Sequence, residues 1–189
     1  MLPVAAVLLL AGSGAQAEGV SAVIETELGA IEISFEVEKA PKTVANFLRY
    51  IEAGLFDGAS FYRTVRADNQ PQSPVKIAVI QGGLGDERED EAFSAIRMES
   101  TSETGLRHLD GTISMARLGP DTAQGEFFIC IGAQPELDFG GKRNQDGFGF
   151  AAFGRVVEGM DVVHAIHRSK ADAQTLEPAI AIRRARILP

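Results

Sequence analysis

The sequence has little of the chemistry on which many enzymes depend. Among its 189 residues are one cysteine, three histidines and no tryptophan. The single cysteine, Cys130, cannot form an internal disulfide and is too few for a cysteine-based metal site or a paired redox motif. The histidines, His108, His164 and His167, are too scattered along the chain to indicate a metal cluster. The sequence therefore gives no indication of a metal site.

Basic charge is also scarce. The chain has 18 lysines and arginines against 26 aspartates and glutamates, which gives a formal net charge of −8. Nucleic-acid binding depends on clustered lysine and arginine side chains, so this balance argues against a nucleic-acid partner. The composition, 45% hydrophobic and 23% charged, is that of an ordinary folded protein rather than a disordered one. The length fits one domain or at most two small ones, and no internal repeat or long linker divides the chain.

Charge is absent from the first 17 residues, and residues 4–11 form an unbroken apolar run. Small residues and Ala15-Gln16-Ala17 follow, which is the pattern of a secretory signal and its cleavage site. The run is too short to span a bilayer, which needs about 20 residues. We therefore expect residues 1–17 to be a signal peptide for export to the periplasm, and residues 18–189 to form the mature domain. The alternative is a buried first strand or helix, because the basic residue that usually precedes the apolar run of a signal is missing.

Short alternations of apolar and polar residues, separated by glycines, dominate the rest of the chain. They predict strands at residues 21–28, 30–36, 60–65, 77–81, 111–116, 126–131, 151–157 and 179–188. Helical spacing predicts one helix that begins at Pro41 and stops at Gly54, and a shorter one at residues 160–167. Many short strands with two helices and no repeated strand–helix unit indicate a mostly β protein, a closed or nearly closed β-barrel.

Three features that suggest chemistry at first sight are weak. The glycine-rich run at residues 81–85 lacks the Lys-Ser/Thr of a P-loop, and no helix pattern follows it. The carboxylates of residues 85–91 form a charge run that favours solvent exposure over acid–base catalysis. Cys130 lies in an apolar strand pattern, where a thiol is buried and inert. Residues 66–76, which contain two prolines, are predicted to form an exposed loop.

Arg63 is the unusual residue of the predicted strands. The two-residue period of a strand places its guanidinium on the same face as Phe61 and Val65, in an apolar row. Such an arginine is either the partner of a buried carboxylate or a preorganised donor aimed at a ligand. The arginine by itself does not distinguish these two roles.

A set of short motifs, in order along the chain, favours the second role. The motifs are Phe61-Tyr62-Arg63, Val79-Ile80-Gln81-Gly82-Gly83, Gly111-Thr112-Ile113-Ser114-Met115-Ala116-Arg117, Gly125-Glu126-Phe127-Phe128-Ile129, Leu137-Asp138 and Phe153-Gly154-Arg155-Val156. With the helix that begins near Pro41, they resemble the cyclophilin-type peptidyl-prolyl cis-trans isomerases over residues 21–187. The resemblance implies a closed eight-stranded antiparallel β-barrel capped by two helices. It also implies an enzyme that assists protein folding by rotating the peptide bond before proline, with no cofactor, metal or covalent intermediate.

The resemblance assigns roles to individual residues. Arg63 corresponds to the family's catalytic arginine, Gln81 to the neighbouring glutamine and Phe128 to the aromatic floor of the proline pocket. Val79 and Leu137 correspond to positions in the wall of that pocket. These assignments place the predicted chemistry on the strands around Arg63.

Several predicted substrate-binding positions depart from the common family pattern. Ala116 and Arg117 correspond to the strand whose backbone holds the peptide, but Arg117 stands where asparagine is common. Glu126 replaces a glutamine, Ala78 replaces a pocket aromatic, and Phe150 stands where histidine is common. We hypothesise that Arg117 and Glu126 form a compensating ion pair across the site.

The expected partners are proline-containing, unfolded or extended polypeptides, bound by a monomer without nucleic acid and without stable membrane insertion. Two other interpretations stay open. The altered positions allow a proline-peptide-binding chaperone module with little or no isomerase activity. An inert β-barrel interaction domain would require Arg63 to be locked in a buried salt bridge with no pocket beside it. An isomerase assay separates the enzyme from the binding module, and an open apolar pocket near Arg63, Gln81 and Phe128 would exclude the inert domain.

Overall fold

A computed structural model describes residues 19–189, so the predicted signal peptide, residues 1–17, lies outside the described residues. The strands are β1 (Ser21–Thr26), β2 (Gly29–Phe35), β3 (Ser60–Val65), β4 (Val79–Gly83), β5 (Thr112–Met115), β6 (Phe127–Cys130), β7 (Ala151–Glu158), β8 (Ala171–Asp172) and β9 (Thr175–Ile187). The helices are α1 (Pro41–Glu52), α2 (Thr101–Thr104) and α3 (Met160–Arg168), and 3₁₀ turns occupy Asp86–Glu91 and Pro135–Leu137. The eight predicted strands and two predicted helices are all present, and α2 and β8 are additional short elements.

The strands close into an antiparallel barrel. Around the barrel the order is β1-β2-β7-β5-β6-β4-β3-β9, and β9 pairs back with β1. The two-residue strand β8 pairs with β9 alone and lies outside this closed ring. Closure confirms the predicted eight-stranded antiparallel barrel, and it pairs both sides of each barrel strand, which protects the strand edges.

The two longer helices pack their apolar faces against the barrel. Helix α1 begins at Pro41, whose fixed φ angle suits the first helical turn. Its residue Phe47 is fully buried, with its ring centroid 4.9 Å from that of Phe56 and 5.2 Å from that of Phe127. Burying one such ring contributes about 1.5–3 kcal/mol. Helix α3 buries Val162, Val163 and Ile166. Both helices are therefore held by side chains that enter the main core.

The buried apolar residues form two separate clusters. The larger cluster fills the barrel and underlies α1 and α3. The smaller cluster comprises Val65, Ile77, Val79, Phe128, Cys130 and Leu137, with Ala116 and Phe150 packed against it. Because side chains alternate along a strand, Ile80 and Ile129 point into the larger cluster while their neighbours Val79 and Phe128 point to the smaller one. The smaller cluster thus lies on the outer side of the barrel wall, and we call it the wall cluster.

A β-bulge in β3 corrects the prediction for the faces of that strand. Phe61 is paired with Gly82 on β4 and Arg63 with Gln81, so the register shifts between Phe61 and Arg63. Phe61 is fully buried in the larger cluster, whereas Val65 belongs to the wall cluster. The prediction that Arg63 shares an apolar row with Phe61 is therefore wrong, because the extra residue of the bulge breaks the two-residue period.

Two polar segments lie at the surface, as predicted. The 3₁₀ turn Asp86–Glu91 contains no buried residue, which confirms that this charge run is solvated. Residues 66–76 form a loop that is mostly exposed, but Gln70 is buried within it. The Gln70 side-chain amide donates to the carbonyl oxygens of Arg66, at 2.8 Å, and Ile77, at 2.6 Å. These bonds close the loop on itself.

Candidate active site

Arg63, Gln81 and Phe128 lie side by side across three neighbouring strands. Arg63 on β3 is paired with Gln81 on β4, and Gln81 is paired with Phe128 on β6. Ser114 on β5 continues the row opposite Phe128. Directly opposed residues of antiparallel strands point to the same face of the sheet. The barrel wall therefore presents a cation, an amide and an aromatic ring in one row.

The guanidinium of Arg63 is held by two amide oxygens. Its Nη1 donates to Oε1 of Gln81 over 2.7 Å. Its Nε and Nη2 both donate to Oε1 of Gln174, over 3.0 and 2.6 Å. Desolvation by burial lowers the pKa of Arg63, but a guanidinium stays protonated in proteins. Within residues 19–189 these partners are amides rather than carboxylates, which favours the donor role over the buried ion pair.

The sequence did not indicate Gln174. This residue lies in the turn between β8 and β9, after Ala173, which has a positive φ of 50°. Its Nε2 donates to the backbone oxygen of Asn69 over 3.0 Å, which fixes the side-chain oxygen toward Arg63. The residue is 111 positions from Arg63 along the chain. A polar residue in a turn gives no sequence signal of such a contact.

The apolar wall cluster lies on the same face of the barrel wall as Arg63. Five predicted substrate-binding residues belong to or pack against the wall cluster, namely Val79, Phe128, Leu137, Ala116 and Phe150. The rings of Phe128 and Phe150 meet edge to face, with centroids 5.2 Å apart. Ala78 is half-buried just before β4, and its backbone N–H donates to Oε1 of Gln134 over 3.2 Å. The structure brings the predicted pocket residues together, with Ala78 outside the cluster that they form.

A buried polar network supports Phe128 from below. His108 is fully buried, with its Nδ1 2.8 Å from Oδ1 of Asp138 and its Nε2 3.0 Å from Oγ of Ser114. Burial acts to raise the pKa of Asp138, but hydrogen bonds from His108 and the nearby charge of Arg107 outweigh it and lower the pKa. The sequence indicated His108 only as one of three scattered histidines. Its role in the site depends on contacts that join distant segments of the chain.

The hypothesis of an ion pair between Arg117 and Glu126 is wrong. The Arg117 guanidinium is paired with the carboxylate of Asp146, with Nη1 2.7 Å from Oδ2, and it also donates to the backbone oxygen of Gly149. It lies over the ring of Phe150, 5.2 Å from the centroid. Glu126 instead accepts hydrogen bonds from the hydroxyl of Tyr62 and the backbone N–H of Gly85. Arg117 thus braces the loop after residue 138 instead of neutralising Glu126.

A cleft of about 240 Å³ lies beside the row of Arg63, Gln81 and Phe128. Tyr62, Gln81, Ala116 and Glu126 line it, together with residues of the acidic turn after β4. Ala116 both lines the cleft and packs against the wall cluster, and Gln81, which also lines the cleft, is paired with Phe128 of that cluster, so the cleft adjoins the wall cluster.

Within residues 19–189 there is no group of three or more His, Cys, Asp or Glu side chains that could hold a metal ion. The same residues include no helix that is both long and apolar enough to cross a membrane. Burial raises the pKa of Cys130 well above that of an ordinary thiol, so this residue is a poor nucleophile.

Fold and site together define a class of proteins: an antiparallel eight-stranded barrel, two packed helices and an arginine beside an apolar cluster on the barrel wall. Residues 21–187 match the family model described as "Cyclophilin type peptidyl-prolyl cis-trans isomerase/CLD". The chain therefore belongs to the cyclophilin-type peptidyl-prolyl cis-trans isomerase family.

Curated relatives and solved structures agree with this assignment. The chain is 34% identical over 145 residues to peptidyl-prolyl cis-trans isomerase A of Dickeya dadantii, covering 76% of this chain and 69% of the relative. It is 33% identical over 142 residues to isomerase B of Escherichia coli, covering 75% and 80%. A cyclophilin-type isomerase structure from Cryptosporidium parvum superposes with a TM-score of 0.73 at 19% identity, covering 90% of this chain and 98% of that one. Another crystal structure of that protein was obtained in the presence of the dipeptide Ala-Pro.

Proposed function

We propose that this chain, a peptidyl-prolyl cis-trans isomerase, accelerates rotation about X–Pro bonds in extended or unfolded polypeptides, with Arg63 as the catalytic residue and the wall cluster as the proline pocket. The observation that carries the assignment of residues is the row of Arg63, Gln81 and Phe128. It sets a protonated guanidinium, held by amides and not by a carboxylate, beside the apolar wall cluster.

The chemical demand on such a site is modest. Rotation about a peptide bond faces a barrier of about 20 kcal/mol because amide resonance must be broken, and uncatalysed X–Pro exchange takes tens to hundreds of seconds. In the rotated state the proline nitrogen regains its lone pair and becomes a hydrogen-bond acceptor. A donor aimed at that nitrogen binds the transition state better than the planar ground state, which is the condition for catalysis. No bond is made or broken, so neither a nucleophile nor a cofactor is required.

Arg63 has the donors for this task. A guanidinium has five N–H groups, and Gln81 and Gln174 accept from three of them. The other two N–H groups, one on Nη1 and one on Nη2, can donate hydrogen bonds to a ligand. A charge-assisted hydrogen bond contributes roughly 1.5–3 kcal/mol, or about one to two decades of rate. The rest of the acceleration comes from anchoring the proline ring on Phe128 and from donors fixed in advance away from water.

The test is to replace Arg63 by alanine and to measure cis–trans exchange of a proline-containing peptide. Arg63→Ala should reduce the exchange rate on the order of tenfold or more, with the fold intact. Arg184→Ala is the matched control, because Arg184 is an exposed arginine on β9. An unchanged rate in Arg63→Ala would remove Arg63 from the mechanism. Peptide binding without accelerated exchange in the native chain would instead favour a binding module.

The proposed substrates are proline-containing segments of proteins that are unfolded or extended. The Ala-Pro dipeptide used with the C. parvum relative supports this choice. The net charge of −8 supports a protein partner over a nucleic acid. We also propose that the chain acts as a monomer, and light scattering coupled to size-exclusion chromatography tests this. A dimer in that measurement would contradict the proposal.

We propose further that the chain is exported and acts in the periplasm. The uncharged apolar run of residues 4–11 and the small residues up to Ala17 support this proposal. Mass spectrometry of the protein from a secreting host is the test. A chain that begins after Ala17 would support export, and an intact Met1 would contradict it.

A further inference from the structure

Tyr62 joins two parts of the site through one oxygen atom. Its hydroxyl donates to Oε2 of Glu126 over 2.5 Å, and the same oxygen accepts a hydrogen bond from Nε2 of Gln81 over 2.7 Å. The other end of the Gln81 amide, Oε1, accepts from Nη1 of Arg63 over 2.7 Å. Glu126, Tyr62, Gln81 and Arg63 thus form a continuous chain of hydrogen bonds, which we call the Glu126–Arg63 relay.

The two ends of the relay require the same direction of hydrogen bonding. An ionised carboxylate only accepts hydrogen bonds, and a guanidinium only donates them. The hydroxyl proton of Tyr62 must therefore point to Glu126, and the amide oxygen of Gln81 must point to Arg63. In the reverse direction the NH₂ group of Gln81 would face an N–H of Arg63, donor against donor. The relay is satisfied at every link while Glu126 is a carboxylate.

We propose that Glu126 is a positioning residue for isomerisation: through Tyr62 and Gln81, its carboxylate fixes the guanidinium of Arg63 in the orientation that meets the substrate. The inference rests on the function proposed above and deepens it. It gives Glu126 a different role from the substrate contact that the family resemblance implied. Both carboxylate oxygens are already engaged, Oε2 with Tyr62 and Oε1 with the backbone N–H of Gly85 over 3.0 Å.

The surroundings of Glu126 make its charge sensitive to pH. Burial raises the pKa of Glu126, hydrogen bonds from Tyr62 and Gly85 partly oppose this, and the nearby charge of Asp86 adds to it. Burial and the neighbouring carboxylate also raise the pKa of Tyr62, so its hydroxyl stays protonated. The titratable or charged groups around Glu126 are Tyr50 from α1, Tyr62 from β3, Asp86 and Glu89 from the turn after β4, and Arg117 from the chain after β5.

Glu126→Gln removes the charge and keeps the size of the side chain. The N–H of Gly85 needs an acceptor, so the new amide keeps its oxygen there and turns its NH₂ group to Tyr62. Tyr62 then meets an amide donor on each side, and its hydroxyl proton lacks an acceptor unless Gln81 reverses. A reversed Gln81 would direct its NH₂ group at the N–H of Arg63, so that two donors face each other. We expect the exchange rate at saturating peptide to fall about fivefold or more, while peptide affinity changes less than about twofold.

The experiment is NMR exchange spectroscopy, which needs no coupling protease, on the chain and a proline-containing peptide from about pH 4 to pH 8. In the native chain the rate should fall toward acid as Glu126 becomes protonated, at a pH above that at which an ordinary glutamate titrates. Tyr62→Phe should have a lower rate that does not vary over this range, because the relay is cut. Glu91→Gln is the matched control, because it neutralises an exposed carboxylate in the turn Asp86–Glu91 that is paired with Arg88. This variant should keep the native rate and pH profile.

The outcomes separate this inference from the proposed function. A native rate in Glu126→Gln, or the native acid decline persisting in Tyr62→Phe, would overturn the relay. If Arg63→Ala is slow in the same assay while Glu126→Gln and Tyr62→Phe are not, the proposed function stands and the relay fails. If Arg63→Ala is as fast as the native chain, the role of Arg63 itself fails. Thermal unfolding of each variant confirms that the compared proteins are folded.

Discussion

The imidazole of His108 is stacked on the ring of Phe128, with centroids 5.9 Å apart and planes 16° from parallel. The ring of Phe128, the proposed floor of the proline pocket, therefore rests on a polar ring that is itself held at both nitrogens. Asp138 fixes Nδ1 and Ser114 fixes Nε2. A buried polar group costs free energy unless it is hydrogen-bonded, and here each partner satisfies the other. Phe128 is thus supported by a hydrogen-bonded network as well as by apolar packing.

Asp138 is expected to stabilise the fold in a pH-dependent way. Its pKa is lowered in the folded chain by His108 and Arg107, against the effect of burial. A carboxylate with a lowered pKa contributes stability above its unfolded pKa of about 3.9, and that contribution is lost as the pH falls through the folded pKa. Asp138→Asn should therefore lower the free energy of unfolding by about 1–3 kcal/mol at neutral pH. Its deficit relative to the native chain should shrink below about pH 4.

Urea unfolding over a pH series measures this difference. Asp90→Asn is the control, since Asp90 is an exposed aspartate in the acidic turn and should change stability little at any pH. A deficit for Asp138→Asn that stays constant down to acidic pH would show that the side chain contributes packing and not charge.

Gln174 is expected to matter for catalysis through Arg63. Gln174→Ala removes the oxygen that accepts from Nε and Nη2 and leaves the guanidinium held by Gln81 alone. The isomerisation rate should fall about tenfold, the equivalent of one charge-assisted hydrogen bond, and peptide affinity should change less. Gln72→Ala, in the exposed part of the loop at residues 66–76, is the control. An unchanged rate would mean that Gln81 is sufficient to orient Arg63.

The sequence predicted the parts of this molecule that local patterns determine. The strand at residues 60–65 has the predicted limits, and α1 begins at Pro41 as predicted, because alternation and proline placement are local signals. The resemblance brought Arg63, Gln81 and Phe128 into one site. It could not predict which face of β3 Phe61 lies on, because the β-bulge depends on pairing with the neighbouring strand. Phe61 is paired with Gly82 of β4, where an added Cβ would lie 2.7 Å from the backbone oxygen of Ser60.

Long-range polar contacts were the part that the sequence could not predict. The partners of Arg117 and Glu126 had to be chosen among many charged residues, and opposite charge alone suggested that they pair with each other. In the structure Asp146 is bidentate to Arg117. Tyr62 and Gly85 satisfy Glu126. Side-chain charge identifies candidate partners, but the loops that the fold brings close decide between them.

Arg143 is expected to hold the loop at residues 66–76 in place. Its Nη1 lies 2.8 Å from Oε1 of Gln70, 2.6 Å from Oγ of Ser73 and 2.6 Å from the backbone oxygen of Val75. Arg143→Ala should increase amide hydrogen exchange in this loop by about tenfold, because the loop then opens more easily while the barrel is unchanged. Lys142→Ala, at the exposed neighbouring residue, should leave the exchange rates of the loop unchanged. Equal protection in both variants would mean that the bonds of Gln70 suffice.

Cys130 offers a chemical measure of opening beneath the pocket. The residue is fully buried in the wall cluster, and burial raises the pKa of its thiol, so the folded chain should react with a thiol reagent far more slowly than the unfolded chain. Reaction then requires opening, and its rate follows the population of the open state when closing is fast. A destabilisation of about 1.4 kcal/mol by Asp138→Asn should accelerate modification about tenfold if opening is global. If Asp138→Asn is less stable than the native chain but its Cys130 is modified at the same rate, the reagent reaches Cys130 through a local opening that leaves Asp138 in place.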